Sequence, residues 1–227
     1  MTVLVFDLDD TLYPESTFVQ SGFLAVSSYI ERQFGFPKEE VFSLMWTRFC
    51  TYGRDRAFDH MLRHYGIFSV KNVNQCVSVY RSHKPDIKLD PEAESCLARF
   101  SSHPLYIVTD GNKLVQHNKL EALELYEKVT RCYITHRYGL KHAKPSPYCF
   151  LKICEREHAR PQDVIYVADN PNKDFVGIKP YGFVTVRLLK GAYRDAKMDP
   201  KFEADFQITS LAELDRQFLH KHRAKGD

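Results

Sequence analysis

Asp7 and Asp9 stand two residues apart at the end of the apolar run Val3-Leu4-Val5-Phe6, in the stretch Asp7-Leu8-Asp9-Asp10-Thr11. Residues i and i+2 of a strand share a face, so a tight turn after Phe6 can aim both carboxylates at one small volume. Two like charges that close need a cation or a shared proton. An acidic turn is also an ordinary way for a chain to leave a sheet, so the pair alone leaves catalysis and turn formation both open.

Three later segments add chemistry of other kinds. Leu105-Tyr106-Ile107-Val108 leads into Thr109-Asp110-Gly111-Asn112, Val164-Ile165-Tyr166-Val167 leads into Asp169 and Asp174, and Lys144-Pro145 lies between them. In an open parallel sheet the carboxyl ends of the strands form one edge, where ligands bind at the topological switch point. Acid, hydroxyl and amine would converge there. Asp7, Asp169 and Asp174 together make an oxygen-rich site suited to Mg²⁺, which favours carboxylates and retained water. The Thr109 hydroxyl and the amides of Asp110 and Gly111, at a helix N-terminus, can bind phosphate oxygens. Gly111 lets backbone approach a ligand closely. Thr and Asp are also good helix caps, a role compatible with the first. Lys144 supplies a fixed positive charge, although a lone Lys before Pro is ordinarily a surface residue.

The elements that must position these groups are legible from periodicity. Four segments, Phe18 to Phe34, Lys38 to Tyr52, Arg56 to Tyr65 and Val70 to Ser82, carry apolar residues at three- and four-residue spacing, punctuated by Gly35, Pro37, Gly53 and Gly66. They predict four helices inserted after the first turn, with Lys84-Pro85-Asp86-Ile87 as a hinge. From Leu89 strand and helix alternate, which predicts a parallel sheet with crossover helices. Asp90 caps one helix with Pro91 in its first turn, a second runs from Asn112 to Leu125, and strand Arg131 to Thr135 follows. Ser146-Pro147 opens the next helix, Lys173 to Lys179 forms a short one, and strand Val184 to Leu188 and a capped helix after Ser210 complete the set. The fold class is α/β, a Rossmann-like parallel sheet core (residues 1–16 and 83–227) with an inserted all-helical cap domain (17–82).

Asp7-Leu8-Asp9-Asp10-Thr11, Thr109-Asp110-Gly111, Lys144-Pro145 and Asp169-Asn170-Pro171-Asn172-Lys173-Asp174 occur in the order of four motifs of one family. On these residues the chain resembles the haloacid dehalogenase-like hydrolases, a superfamily made up mostly of magnesium-dependent phosphatases. Ala168 departs from the pattern, standing where the family usually has Gly before the metal-binding Asp. The resemblance implies that Asp7 attacks phosphorus and forms an aspartyl-phosphate that water hydrolyses. It implies that Asp9 protonates the leaving alkoxide and then activates the water, with Thr11 orienting Asp9. Dehalogenases of the superfamily lack an acid at this position, because halide leaves without a proton, so Asp9 argues for a phosphatase. Asp7 and Asp169 are the implied metal ligands, joined by the backbone carbonyl of Asp9. Asp174 is expected to hold Lys144 or a metal-bound water, and Asp10 to point away. The helical insertion corresponds to a cap lying over the carboxyl edge, where such lids exclude water and open for product release. Arg54, beside Gly53 at a helix junction, is the leading cap residue for substrate contact. Tyr13, Phe18, Trp46, Tyr52 and Arg56 are further candidates that read more readily as core or solvated surface.

The reaction expected is therefore hydrolysis of a small phosphorylated metabolite, a sugar phosphate or a nucleoside monophosphate. The Asp9-Asp10-Thr11-Leu12-Tyr13 stretch and the Tyr52-Gly53 pair also look like those of pyrimidine nucleotidase relatives. The alternatives are a phosphosugar mutase, which returns the phosphoryl group to its substrate, and a silent scaffold that keeps the fold.

Bulk properties bound the rest. The chain has 227 residues, 44% hydrophobic and 27% charged, with a net charge of +3. That is ordinary for a globular protein and too weakly basic to imply nucleic acid. Lys221-His222-Arg223-Ala224-Lys225 reads as a solvated helix end. Apolar runs of four to six residues fall far short of the ~20 a membrane helix needs. Cys50, Cys76, Cys96, Cys132, Cys149 and Cys154 form no zinc-type spacing and read as reduced, mostly buried hydrophobes. With a strand following Met1 directly, a cytoplasmic location is expected.

Overall fold

The computed structural model describes residues 2–223, with side chains as far as Leu219. The basic tail from Lys221 to Lys225 lies outside the residues whose side chains are described. Six strands, β1 (Val3–Phe6), β2 (Leu105–Thr109), β3 (Arg131–Ile134), β4 (Val164–Ala168), β5 (Val184–Leu188) and β6 (Phe206–Ile208), form one sheet in the order β3-β2-β1-β4-β5-β6. Every pairing is parallel, with Phe6 opposite Ile107 on one side and Val167 on the other. This is the doubly wound order, whose switch point lies at the carboxyl end of the central strands. β1, β2 and β4 are buried along their whole length, as expected where helices cover both faces of a parallel sheet. That is why these segments read as unbroken apolar runs.

The chain divides into two compact units, residues 1–15 with 88–227, and residues 16–87. The second unit is helical: α1 (Glu15–Phe34, which starts one residue earlier), α2 (Lys38–Tyr52), α3 (Ala57–His64) and α4 (Val70–Ser82). Its core is built from Phe23, Val26, Ile30, Met45, Met61, Leu62 and Cys76, with Trp46 packed against it. Ser69 caps α4 by accepting from the Asn72 amide at 3.1 Å. Phe18 is buried, so Phe18 and Trp46 are packing residues of this unit.

In the sheet unit the helices are α5 (Pro91–Arg99), α6 (Lys113–Ala122), α7 (Leu125–Lys128), α8 (Tyr148–Glu157) and α9 (Arg216–Arg223). Asn112 caps α6, its Oδ1 accepting from Leu114 at 3.0 Å and Val115 at 3.3 Å. Several expectations are corrected. The helix expected from Asn112 to Leu125 breaks at Glu124, whose φ is 54°, and α7 follows separately. Asp90 precedes α5 without a side-chain capping bond among the described residues; its carboxylate instead pairs with Lys190 at 2.9 Å. Ser210 and Glu213 close a capping box on a short 3₁₀ turn, Leu211–Glu213, rather than on α9.

The helix expected over Lys173–Lys179 is a series of turns ending in the 3₁₀ turn Lys179–Tyr181. Asn170 accepts from the Asn172 amide at 3.1 Å and Asp174 from the Asn170 amide at 3.3 Å, local bonds that compete with a helix. Gly177 is required here. A Cβ at this position would sit 1.6 Å from the Pro145 carbonyl oxygen, so the turn backbone packs directly on the Lys144-Pro145 loop. No helix among the described residues is long and apolar enough to cross a membrane.

Candidate active site

The ends of β1, β2 and β4 deliver the chemistry to one edge. Asp7 follows Phe6, and its amide still donates to Val167 on β4 at 2.9 Å, which fixes it against that strand. Asp10 then takes the left-handed conformation (φ 53°) and turns the chain. Its Oδ1 accepts from the Glu15 amide at 2.9 Å at the start of α1. Asp169 follows Ala168 of β4, and Asp174 lies in the turns beyond. Asp7, Asp169 and Asp174 are all buried, and one carboxylate oxygen from each lies within 4.8 Å of the others.

Lys144 reaches into this cluster from the loop between β3 and α8. Its Nζ donates to Asp7 Oδ1 at 2.6 Å, Asp174 Oδ1 at 2.7 Å and the Tyr166 hydroxyl at 2.8 Å, satisfying all three of its protons. Tyr166 donates in turn to Asp174 Oδ1 at 2.8 Å. The loop carrying Lys144 is tied down by Asp110, whose carboxylate accepts from the Lys144 amide at 3.1 and 3.2 Å and from the Thr135 hydroxyl. The Asp110 side chain thus fastens the lysine loop, while its amide stays beside Gly111, which adopts φ 140°.

Electrostatics follow from burial. Desolvation pushes the Asp7 carboxyl up to about 6 against the pull of Lys144, with Asp174 raising it further. Burial and the neighbouring charges of Asp7, Asp174 and Asp10 push Asp169 up to about 8. Burial acts to lower Lys144, but the charges of Asp174, Asp7 and Asp110 outweigh it and hold the ammonium well above its ordinary range. Among the described residues these three carboxylates share one buried ammonium, which pairs directly with Asp7 and Asp174, and full ionisation leaves two negative charges uncompensated in a buried volume. Hard oxygen donors with that charge deficit fit a divalent cation of the Mg²⁺ type.

This coupling has a measurable consequence. In metal-free buffer at pH 8, Lys144→Met is expected to cost about 3 kcal/mol, because two buried carboxylates lose their counter-charge. At pH 5.5 the cost should shrink, since Asp7 can then take up a proton. Equal losses at both values in urea denaturation would rule out this charge pairing.

Asp9 occupies a separate polar cage. Its Oδ1 accepts from the Tyr13 hydroxyl at 2.5 Å and Lys119 Nζ at 2.7 Å, and its Oδ2 from Gln116 Nε2 at 3.0 Å. Gln116 Nε2 also donates to Thr109 Oγ1 at 2.5 Å. Burial works to raise the Asp9 carboxyl, yet the Lys119 charge and the bonds from Lys119, Tyr13 and Gln116 hold it below its ordinary value. Thr11 was expected to orient Asp9; its buried Oγ1 has no hydrogen-bond partner among the described residues, so that role falls to the cage. Tyr13, a candidate ring for substrate contact, is only 1% exposed and spends its hydroxyl on Asp9.

Sequence reasoning did not find Gln116, Lys119, Tyr166 or the role of Tyr13. The available signal for the first two was position. Gln116, Lys119 and Leu120 form the buried face of α6 at spacings of three and four, an unusual place for a lysine. Arg54 lies on an exposed bend of the helical unit, at the end of α2.

Comparison with known proteins agrees with this arrangement. The family model for haloacid dehalogenase-like hydrolases matches residues 1–182. The chain is 30% identical over 223 residues to a glyceraldehyde 3-phosphate phosphatase of Methanopyrus kandleri, covering 93% of this chain and 94% of that protein. It is also 30% identical over 225 residues to the protein of the same name from Methanocaldococcus jannaschii, with the same coverages of 93% and 94%. The crystal structure of 2-haloacid dehalogenase from Pseudomonas syringae superposes with a TM-score of 0.65 at 20% identity over 100% of both chains, which shows a shared fold. With the sheet order, the residues gathered at its carboxyl edge and these matches in agreement, the chain belongs to the haloacid dehalogenase-like hydrolase family.

Proposed function

We propose that the protein is a Mg²⁺-dependent phosphomonoesterase that hydrolyses a small sugar phosphate through a phosphoryl group carried on Asp7. The observation that carries this reading is the second carboxylate, Asp9, held by its own buried lysine beside the nucleophile and bridged through Gln116 to the hydroxyl of Thr109. An alkoxide leaving group needs a proton, whereas a halide does not. A pair of acids beside a hydroxyl and a helix N-terminus is therefore fitted to a phosphate ester. The sugar-phosphate class is supported by the names of the 30% identical relatives.

In this reading Asp7, placed by β1 and held by Lys144, attacks phosphorus while Asp9 gives a proton to the departing oxygen. Asp9 then takes a proton from the water that attacks the phosphoryl-Asp7 bond, releasing phosphate. Thr109, with its oxygen already accepting from Gln116, keeps its hydroxyl proton for a phosphate oxygen. The amides of Asp110 and Gly111 add donors at the start of α6. Asp7, Asp169 and the Asp9 carbonyl would hold Mg²⁺, with Asp174 committed mainly to Lys144 and Tyr166. When bound, the ion offsets the charge of two anions that must approach each other. All six cysteines are unpaired, which fits a reducing compartment such as the cytoplasm.

The test is phosphate release with Mg²⁺ from a panel of triose and hexose phosphates and nucleoside monophosphates. Sugar phosphates should turn over fastest, and no release from any member would contradict the reading. Selectivity is assigned to the helical unit through Arg54. Arg54→Ala is expected to raise KM for the preferred sugar phosphate by about tenfold, with little change towards p-nitrophenyl phosphate. Equal loss on both substrates would deny Arg54 a role in recognition.

A further inference from the structure

Among the described residues of the sheet unit two lysines, Lys119 and Lys144, are almost wholly buried, and each binds a different carboxylate of the Asp7/Asp9 pair. Lys144 belongs to the nucleophile and the acid cluster. Lys119, 2% exposed on α6, donates to Asp9 Oδ1 at 2.7 Å and lies 3.5 Å from Glu15. A buried ammonium is costly without a partner, so its placement calls for an explanation beyond packing.

The two oxygens of Asp9 are treated differently. A carboxylate oxygen offers two acceptor positions. Oδ1 fills both, with Lys119 and the Tyr13 hydroxyl. Among the described residues Oδ2 accepts from Gln116 alone, and the same Gln116 nitrogen reaches the Thr109 hydroxyl, so Oδ2 lies on the side of the phosphate-binding groups. Gly111 lies against the Gln116 side chain, where an added Cβ would come within 3.2 Å, so the bridge is packed from behind.

Building on the phosphatase reading, we infer that Lys119 and Tyr13 are positioning residues that clamp Asp9 by Oδ1, so that Oδ2 alone carries the proton to the leaving oxygen and later receives the proton of the attacking water. The first proton comes with the substrate, a phosphate monoanion that hands it to the ionised Oδ2 on binding, and the step then balances without a further reactant. The proton leaves Oδ2 as the phosphorus–oxygen bond to the alcohol breaks, and it returns when water adds to phosphorus. Lys119 and Tyr13 keep their own protons throughout. The opposite arrangement, in which the cage parks Asp9 away from the reaction until it swings free, would make Lys119 a brake.

Leaving-group dependence separates these roles. Lys119→Met and Tyr13→Phe would be compared with wild type on glycerol 3-phosphate, whose alkoxide needs a proton, and on p-nitrophenyl phosphate, whose phenolate does not. The quantity compared is kcat/KM, which ends at leaving-group departure and is blind to the later hydrolysis of phosphoryl-Asp7. Lys119→Met is expected to lower kcat/KM on the order of 10²-fold for the alkyl ester and about threefold or less for the aryl ester. Tyr13→Phe, which removes one hydroxyl and keeps the ring, should show the same selectivity at smaller size. It keeps the test available should the lysine variant fold poorly. Hydrolysis of phosphoryl-Asp7 should slow in both variants, giving a burst of nitrophenolate near one per enzyme. Equal losses on the two esters, unchanged values, or faster alkyl ester hydrolysis would overturn the clamp while leaving the phosphatase assignment intact. A wild-type enzyme active on neither ester nor any other phosphate would overturn both.

Discussion

Asp7→Asn should leave a folded protein that releases no phosphate, with kcat/KM lower on the order of 10⁴-fold or more. The asparagine keeps the size of the side chain and the amide bond to Val167, but it is a poor nucleophile and offers Lys144 a neutral acceptor. Because Asp7 is pushed up to about 6 by burial, its ionised form is a strain on the fold at neutral pH. The variant is therefore expected to melt no lower than wild type by more than a few degrees in metal-free buffer at pH 8. Loss of activity together with a collapsed melting transition would show that Asp7 is needed for folding and would remove this evidence for its role as nucleophile.

The second large effect concerns metal and pH together. Asp169, raised to about 8, and Asp7, raised to about 6, hold protons in the folded chain that the unfolded chain has already released. Folding therefore takes up protons between roughly pH 4 and 8, and metal-free stability falls as pH rises through that window. A divalent cation must displace the same protons. Mg²⁺ is expected to raise the melting temperature more at pH 8.5 than at pH 6, and its affinity to fall by up to about tenfold per unit as pH drops from 8 to 6. Below 6 the decline should steepen as Asp7 joins. Calorimetric titration in buffers of different ionisation enthalpy would count the proton released. Chelation should abolish turnover throughout. A Kd independent of pH between 6 and 8.5 would show that the ion does not bind among these carboxylates.

How far the sequence led is clear from particular residues. β1, β2 and β4 were readable because strands buried on both faces leave uninterrupted apolar runs, and each run ended in a residue of the site: Asp7, Thr109 or Asp169. The four helices of the insertion were readable because glycine and proline punctuate them. β6 was not, since Phe206-Gln207-Ile208 is three residues long and carries too little periodicity to register. The turns over Lys173–Lys179 looked helical because the local bonds of Asn170 and Asp174, and the close approach of Gly177 to Pro145, depend on tertiary placement. The acid cluster was legible because Asp7 and Asp169 sit at strand ends and Asp174 follows Asp169 by five residues. The residues that hold the site were not: Tyr166 lies within a buried strand, and Gln116 and Lys119 stand 107 and 110 residues along the chain from Asp9, which they bind. Thr11 was credited with a task that Tyr13 performs, since both follow Asp9 closely and only the fold shows which side chain turns back.

The most direct measurement of the account is to trap the covalent intermediate. Asp9→Asn should still lose an activated aryl leaving group but hydrolyse the phosphoryl enzyme slowly, so acid quenching after mixing with dinitrophenyl phosphate and Mg²⁺ should preserve it. The account requires a phosphoryl group on Asp7, mapped by mass spectrometry of the peptide that contains it. A phosphoryl group on another residue would contradict the account, as would sustained phosphate release from wild type under single-turnover sampling with Asp7 never modified.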